Sequence, residues 1–489
     1  MRTRASWTRP VEDERVRAVS RPARTRRLAR PLTALLALTL CAGLVACSEE
    51  GSAPSPGPTG SPAAKKAKLI FGVWGSEEEV ASYESTVATF NAGSTLSQVT
   101  IKAYESHDAL ADAVQAGGKD APDIYLATRD DLAWMRPEER NVPVDELLDE
   151  RGVEFGDRYS RSALEAFSAD RRLQCMPYSI SPTVLFVNTD LVDFERMARR
   201  GLSVPSESRK SWSLAQFTEA ARFASRPRRG TKGVHVDQSV RGLAPFLFSG
   251  GGQLFDSEEQ PTSLAFNDEG SREALQRTLE VLRDPTITLT ERQLERRSAR
   301  EWFERGKVAM ITGDRSMVPH LRLVRGLAFD VMPMPTLDSN ATIGEIVGTC
   351  INSENASIPG AADFLVHALS TESVRSVTRA GYLVPVNQEV ALSDDFLQPG
   401  RQPEHAAVFT NSVRNLRVLP PLDTWPALEL AVGPLIEEMF TVPVLDDLET
   451  LTAEIDEASQ VVLAPEEIAE PTDSASPGEG ESPAEDEER

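Results

Sequence analysis

Residues 173–190, LQCMPYSISPTVLFVNTD, pass from polar, proline-broken chain into an unbroken apolar run and out again. Pro177, Ser179 and the Ser181-Pro182 pair exclude a helix, whereas Thr183-Val184-Leu185-Phe186-Val187 is β-branched and apolar, so the segment is extended. Asn188-Thr189-Asp190 reads as the cap of a following helix. A strand of this kind suits a chain crossing between two lobes, and an ordinary buried strand of one domain is the plainer alternative. Upstream, Leu69-Ile70-Phe71-Gly72-Val73-Trp74-Gly75 predicts a buried strand ending in a tight turn. Ser76-Glu77-Glu78-Glu79 then opens a helix, with carboxylates at its positive end and Val80, Tyr83, Val87 and Phe90 at helical spacing.

The alternation continues with a strand over 98–104, a helix over 109–116 stopped by Gly117-Gly118, and a strand over 121–126. Strand, helix, strand, helix, strand predicts an α/β fold with a parallel sheet. Ligands of such sheets sit at the carboxyl ends of strands, here Trp74-Gly75-Ser76 and Thr128-Arg129-Asp130. Further on, helices over 213–225 and 271–283 carry core-facing stripes, Leu214, Phe217, Ala220 and Ala221 on the first, Ala274, Leu275, Thr278, Leu279 and Leu282 on the second.

At 489 residues with 40% hydrophobic positions the chain is long enough for two cores. Its formal net charge of −23 makes nucleic acid a poor partner. The amino terminus departs from that balance: an Arg-rich run ending at Arg30 precedes the apolar residues 32–44, and Leu44-Val45-Ala46-Cys47 closes the segment. This pattern looks like a lipoprotein signal peptide over 1–46, with Cys47 lipidated and the protein tethered outside the membrane. A thirteen-residue apolar run is too short to span a bilayer. The pattern leaves Sec or twin-arginine export open. Residues 47–67 form the anchor and a Pro/Gly/Ser-rich spacer, and 464–489 an acidic, disordered tail.

Cys41 leaves with the signal and Cys47 takes the lipid, so Cys175 and Cys350 remain, in an oxidising compartment, to pair or to stay as thiols. No CxxC, no metal-ligand spacing, no P-loop, no G-x-S-x-G and no H-E-x-x-H occurs, and the five histidines read as scattered surface residues. Binding without turnover follows, with no cofactor and no metal.

Several phrases in order carry a resemblance. The first strand ends at Trp74; Gly-Gly-x-x-Ala-Pro-Asp follows at 117–123, and Met-Pro-Tyr-Ser…Asn at 176–188. Ser211-Trp212 opens a helix, and Phe248-Ser249-Gly250-Gly251-Gly252-Gln253-Leu254-Phe255 is followed by Phe266-Asn267. Phe303-Glu304-Arg305-Gly306-Lys307-Val308-Ala309-Met310 and Gly381-Tyr382-Leu383-Val384-Pro385-Val386 complete the set. Over about 68–463 the chain resembles the extracellular solute-binding proteins of family 1, the sugar-binding lipoproteins of ABC importers, related to maltose-binding protein.

That resemblance implies a two-lobed, type II periplasmic-binding-protein-like fold with about three crossings, near 179–184, near 348–351 and after about 388. Lobe 1 takes 68–180 and 349–395, lobe 2 takes 185–346 and 400–463. It implies that Cys175 and Cys350 lie close enough for a disulfide, against the alternative of two buried thiols. Matching motif positions carry over Trp74, Ser76, Glu77, Asp130, Ser181, Arg241, Arg315 and Trp425 as ligand-binding residues, with Tyr178 and Tyr382 beside them; Trp212, Trp302 and Tyr125 are packing residues. The family's partners follow: a sugar-like small molecule and the transmembrane subunits of an ABC permease, for a monomer anchored by lipid. A ligand sensor or accessory lipoprotein without a dedicated permease is the alternative, and an enzyme on the same scaffold a third reading. The family often has a Trp soon after the Gly where this chain has Gly313-Asp314-Arg315, so a stacking platform is missing; with two Arg near the cleft, the ligand is expected to be smaller or more anionic than a typical oligosaccharide.

Overall fold

The computed structural model describes residues 65–355, 357–441 and 447–466. The expected leader, the expected anchor site at Cys47, nearly all of the expected spacer and the residues beyond 466 lie outside these residues. Among the described residues no helix is long and apolar enough to cross a membrane.

The described residues form eleven strands: β1 Ala67–Trp74, β2 Ser97–Tyr104, β3 Ile124–Thr128, β4 Asn141–Val142, β5 Ser168–Ala169, β6 Arg172–Leu173, β7 Met176–Pro182, β8 Val184–Asn188, β9 Met310–Gly313, β10 Phe329–Met332 and β11 Gly344–Asn352. β1 pairs in parallel with β2 along its whole length and with β3 at Phe71 and Gly72. β11 runs antiparallel to β3, β4 and β7, which completes a six-stranded sheet in the order β2-β1-β3-β11-β4 with β7 also on β11. A second sheet, β10-β8-β9, is antiparallel, and β5 and β6 form a small hairpin.

The apolar run at 184–187 behaves as a strand buried on both sides must. Successive side chains point to opposite faces, so Val184 and Phe186 enter one core with Phe303, Phe329 and Phe409, while Leu185 and Val187 enter another with Trp212, Phe217 and Phe246. A third core fills the faces of the six-stranded sheet, from Leu69 and Phe71 through Tyr125 and Phe167 to Phe364. Each sheet thus carries its own hydrophobic interior, the arrangement of a mixed α/β, two-lobed fold.

Local chemistry sets the helix ends. Ser76 accepts from the Glu79 N–H at the head of helix Glu77–Gly93, whose buried positions include Tyr83, Val87 and Phe90. Helix Leu214–Ala224 begins in a capping box of Ser213 and Gln216, one residue after the position expected from Ser211-Trp212. The Trp212 indole instead packs under it and donates to the Pro333 carbonyl at 2.8 Å. Asn188-Thr189-Asp190 does not cap a helix: the Asn188 side chain accepts from the Asp190 N–H in a turn, and Asp193 caps helix Phe194–Arg199.

The passages between the sheets lie side by side. The Thr183 N–H donates to the Ile343 carbonyl at 2.8 Å and its carbonyl accepts from the Thr342 hydroxyl at 2.6 Å. Thr342 in turn exchanges backbone bonds with Asn415 and Arg417. The second passage therefore runs through 342–343, ahead of the 348–351 expected from sequence; residues 348–351 form the middle of β11, inside the six-stranded sheet. After helix Gln388–Ala391 the chain packs Phe396, Val408 and Phe409 against β8, then returns past Val413 and Leu416 to reach Leu419 and Trp425. Beyond 388 it changes sides more than once.

Cys175 and Cys350 are joined by a disulfide, Cα atoms 4.5 Å apart, with both residues buried in the core of the six-stranded sheet. The pairing continues the β7–β11 ladder, in which Met176 opposes Thr349. The bond ties interior strand β11 to the chain leading into its neighbour β7 within one lobe, and spans no passage.

Candidate ligand-binding cleft

A cleft of about 340 Å³ opens where the two sheets meet. From the six-stranded sheet it takes Thr128, Arg129 and Asp130 after β3, Ser181 on β7, and Glu345 and Ile346 on β11; from the second, Thr312, Gly313 and Asp314 at the end of β9. The first turn of helix Val240–Ser249 adds Ser239, Arg241 and Gly242, Asp237 lies just ahead of it, and Val418 with Leu419 closes one side. Most of these come from strand ends and a helix start, where backbone and short polar side chains remain unspent by the ladders.

Asp130 and Arg241 face each other across the cleft, Nη2 to Oδ2 at 2.6 Å. The guanidinium also lies 4.2 Å over the Trp425 ring. One helix, Trp425–Thr441, supports this Arg twice: Trp425 stacks beneath its head, and Glu429 one turn later receives the N–H groups of Val240 and Arg241 at 3.3 and 3.4 Å. Trp425 itself is only 5% exposed, packed edge-on against Phe255, and so acts as the floor under Arg241 instead of a face open to ligand.

The other expected residues divide. Ser181 lines the cleft. Trp74 is half-buried with its ring edge-on to His107 at 5.2 Å, Ser76 caps its helix and sits 3.5 Å from the Tyr382 hydroxyl, and Glu77 is exposed; none of these four lines the cleft volume. Tyr178 belongs to the core, its ring near that of Tyr83, and burial raises its hydroxyl pKa well above the ordinary value. Arg315 is the clearest correction. It is 0% exposed, donates to the carbonyls of Gly381 and Phe396 at 3.1 and 3.0 Å, and lies over the rings of Phe396 and Phe409. Burial first, then Arg322 and Arg401, lower its pKa to about 9. The turn after β9 explains the reversal: Asp314 leaves the strand at the cleft, whereas Arg315 lies in the turn that leads into helix Met317–Leu323 and is buried away from it. With Arg315 buried and Arg241 neutralised by Asp130, the expectation of an anionic ligand loses both arginines on which it stood.

Sequence reasoning missed Glu345, Asp314, Asp237, Glu79 and His107, and placed Arg129 only within the strand end 128–130. Arg129 is committed to carbonyls, Nε to Ala166 at 3.2 Å and Nη1 to Leu419. His107 is no surface residue: Nε2 lies 2.8 Å from Asp131 and Nδ1 3.1 Å from Asp108. Burial acts to lower its pKa, but the bond and charge of Asp131, with Asp108 and Glu345, outweigh it and push it up to about 9. His235 is buried as well. The Glu79 carboxyl is raised to about 7, chiefly by burial and then by Asp314 and Glu345, against the Ser76 bond that lowers it. Glu345 opens to cleft water, yet protein surrounds it closely enough that burial, followed by Asp314, raises its pKa, with Asp130 adding to this and His107 and Arg241 opposing. Strand pairing supplies a signal: Glu345 sits opposite Ser181 in the β7–β11 ladder, so one cleft residue points to the other. The metal-like cluster elsewhere, buried Asp330 with exposed Glu404 and half-buried His405, has Arg209 3.7 Å from Asp330 and the His405 ring at 2.6 Å, which satisfies the Asp330 carboxylate from within the protein.

No curated protein matches the sequence. Among solved structures the chain is similar to an ABC substrate-binding protein from Listeria monocytogenes in complex with cycloalternan, at 15% identity and a TM-score of 0.68, covering 81% of this chain and 99% of that one. The GacH receptor of Streptomyces glaucescens, solved unliganded and with acarbose, aligns at 17% identity and a TM-score of 0.65 over 82% and 99% of the two chains. A maltotriose-binding protein from Thermus thermophilus gives 15% identity, 0.61, 81% and 99%. At such identities the shared property is the fold, a type II solute-binding architecture related to maltose-binding protein. The sequence model for bacterial extracellular solute-binding proteins matches residues 85–403, well over half of the chain, and to that family the protein belongs.

Proposed function

We propose that this protein is the extracytoplasmic substrate-binding component of an ABC importer, lipid-anchored through Cys47, and that it takes a sugar or related hydroxylated small molecule into the cleft between its lobes. The observation that carries the reading is the Asp130–Arg241 pair at the cleft, with Trp425 beneath it. A fixed carboxylate and a fixed guanidinium present an acceptor and donors together, the complement of a hydroxyl that both donates and accepts. Ser181, Ser239 and Thr312 add hydroxyls that adapt to either role.

Closure follows from the passages at 183, 342–343 and 415–417, extended segments able to absorb a rotation between the lobes while each core stays intact. A ligand touching Asp130 and Glu345 on one side and Arg241 and Asp314 on the other binds the closed form better than the open one, and that difference shifts the population. A permease that recognises the closed surface then receives the ligand. The family's members bind and do not turn over their solutes, so no reaction is assigned.

A thermal-shift screen of the mature chain with mono- to tetrasaccharides, polyols and sugar phosphates tests this. At least one sugar or polyol is expected to raise the melting temperature saturably and to bind in calorimetry with a micromolar Kd; a screen with no saturable binder, or product release on incubation with glycans, sinks the reading. Metabolic labelling with a fatty-acid analogue tests the anchor: label lost in Cys47→Ala supports it, label retained overturns it.

A further inference from the structure

Charge accounting around the cleft leaves carboxylates without counter-ions. Arg241 is spent on Asp130, Arg129 on two backbone carbonyls, and protonated His107 on Asp131 and Asp108. Among the described residues, Asp237 has only the His235 ring, at 3.4 Å, as an ion-pair contact. Glu345 and Glu79 have no ion pair among the described residues, and Asp314 accepts only the Ser316 N–H at 2.8 Å. These groups come from both lobes. Glu345 belongs to β11 and Glu79 to the helix after β1, whereas Asp314 ends β9 and Asp237 precedes the helix bearing Arg241. Each of Glu79 and Glu345 feels Asp314 across the gap.

An open, wet cleft tolerates this arrangement because water screens it. Closure removes that water and brings like charges together, so it is opposed unless the ligand neutralises them. A neutral sugar satisfies carboxylates as hydrogen-bond acceptors but leaves their charge in place.

Resting on the binding reading above, we propose that the cleft selects a hydroxylated amine, a sugar or cyclitol bearing a protonated amino group, whose ammonium lies between Glu345 and Asp314 while its hydroxyls engage Asp130, Arg241 and Ser181. An ammonium offers three charge-assisted donors to the carboxylates and cancels the repulsion that resists closure.

The test pairs each amine with its uncharged counterparts in calorimetry on the mature chain: glucosamine against glucose and N-acetylglucosamine, an aminated disaccharide against its parent disaccharide, and an aminocyclitol against inositol. The expected result is that at least one amine binds tenfold or more tightly than its neutral partner, and that its affinity falls at least threefold between 50 and 500 mM salt. Glu345→Gln and Asp314→Asn are each expected to weaken the amine about tenfold while raising the melting temperature of the ligand-free protein, opposite signs that a merely misfolded variant does not give. Neutral sugars binding as tightly as their amines, with variants that do not distinguish them, overturn this proposal and leave sugar binding standing. Absence of any binder among amines, sugars and polyols overturns both.

Discussion

A single residue of register decides function at the end of β9. Asp314 and Arg315 are neighbours, yet one faces the cleft and the other clamps Gly381 and Phe396 from a fully buried position, with its Nη1 lacking any partner among the described residues. Motif matching located the position, and the turn that follows β9 reversed the choice. Arg241, matched by its place ahead of Gly250-Gly251-Gly252, does line the cleft. Arg241→Ala strips Asp130 of its partner and empties the face of Trp425; affinity for any ligand of the cleft is expected to fall roughly thirtyfold, about 2 kcal/mol, in calorimetry. His107 gives a pH signature. Its folded pKa of about 9 exceeds the ordinary 6.5, so the stabilisation it provides is complete below 6.5 and is lost as pH rises toward 9. Glu79, raised from 4.5 to about 7, acts in the same direction over the lower window, stability falling between those values. The ligand-free protein is therefore expected to melt at lower temperature at pH 9 than at pH 6, with on the order of 2 kcal/mol from a His107 side chain that is 30% exposed, and His107→Gln to flatten the profile above pH 6.5.

At the scale of elements, the strands were legible where burial is two-sided. An unbroken apolar run such as 184–187 has no solvent face to confuse its pattern, and both cores claim it. The amphipathic stripes of helices Leu214–Ala224 and Glu269–Leu282 were legible for the complementary reason, since each has one dry face. What did not show was where extended chain stops being sheet and becomes passage. Backbone in β11 and backbone at 342–343 have the same conformation and similar residues; only the partner differs, and partners are not written locally. The cleft carboxylates escaped for a related reason: Glu345 and Asp314 become a pair of like charges only after two distant elements meet. β11 also contains a test of close packing. A methyl group at Gly348 would stand 2.9 Å from the Phe167 ring, whose surroundings are fully buried and unable to yield. Gly348→Ala is expected to cost about 1–3 kcal/mol of unfolding free energy in urea titration without altering ligand affinity beyond what lost stability explains.

For the whole molecule the expected motion is a rotation of two separately packed bodies. Saturation with ligand should reduce the radius of gyration in small-angle scattering and, at a hundredfold excess over Kd, add about 2.7 kcal/mol of stability. The Cys175–Cys350 bond separates these two quantities. Closing a loop over a sequence separation of 175, it restrains the unfolded chain by about 5 kcal/mol in the loop-entropy model, and its reduction is expected to lower the melting temperature. Because both cysteines lie within one lobe, the ligand-induced compaction should survive reduction unchanged below that melting temperature. The same connectivity sets an order on assembly of the chain. Between the two thiols runs the whole second sheet with many of the helices packed on it, so the first body has no means of being sealed until that stretch has been made; helices Trp425–Thr441 and Leu448–Leu463, which pack into the second body, follow later. A chain halted between residues 175 and 350 would carry a lone thiol at 175, open to whatever oxidant or stray cysteine shares its compartment.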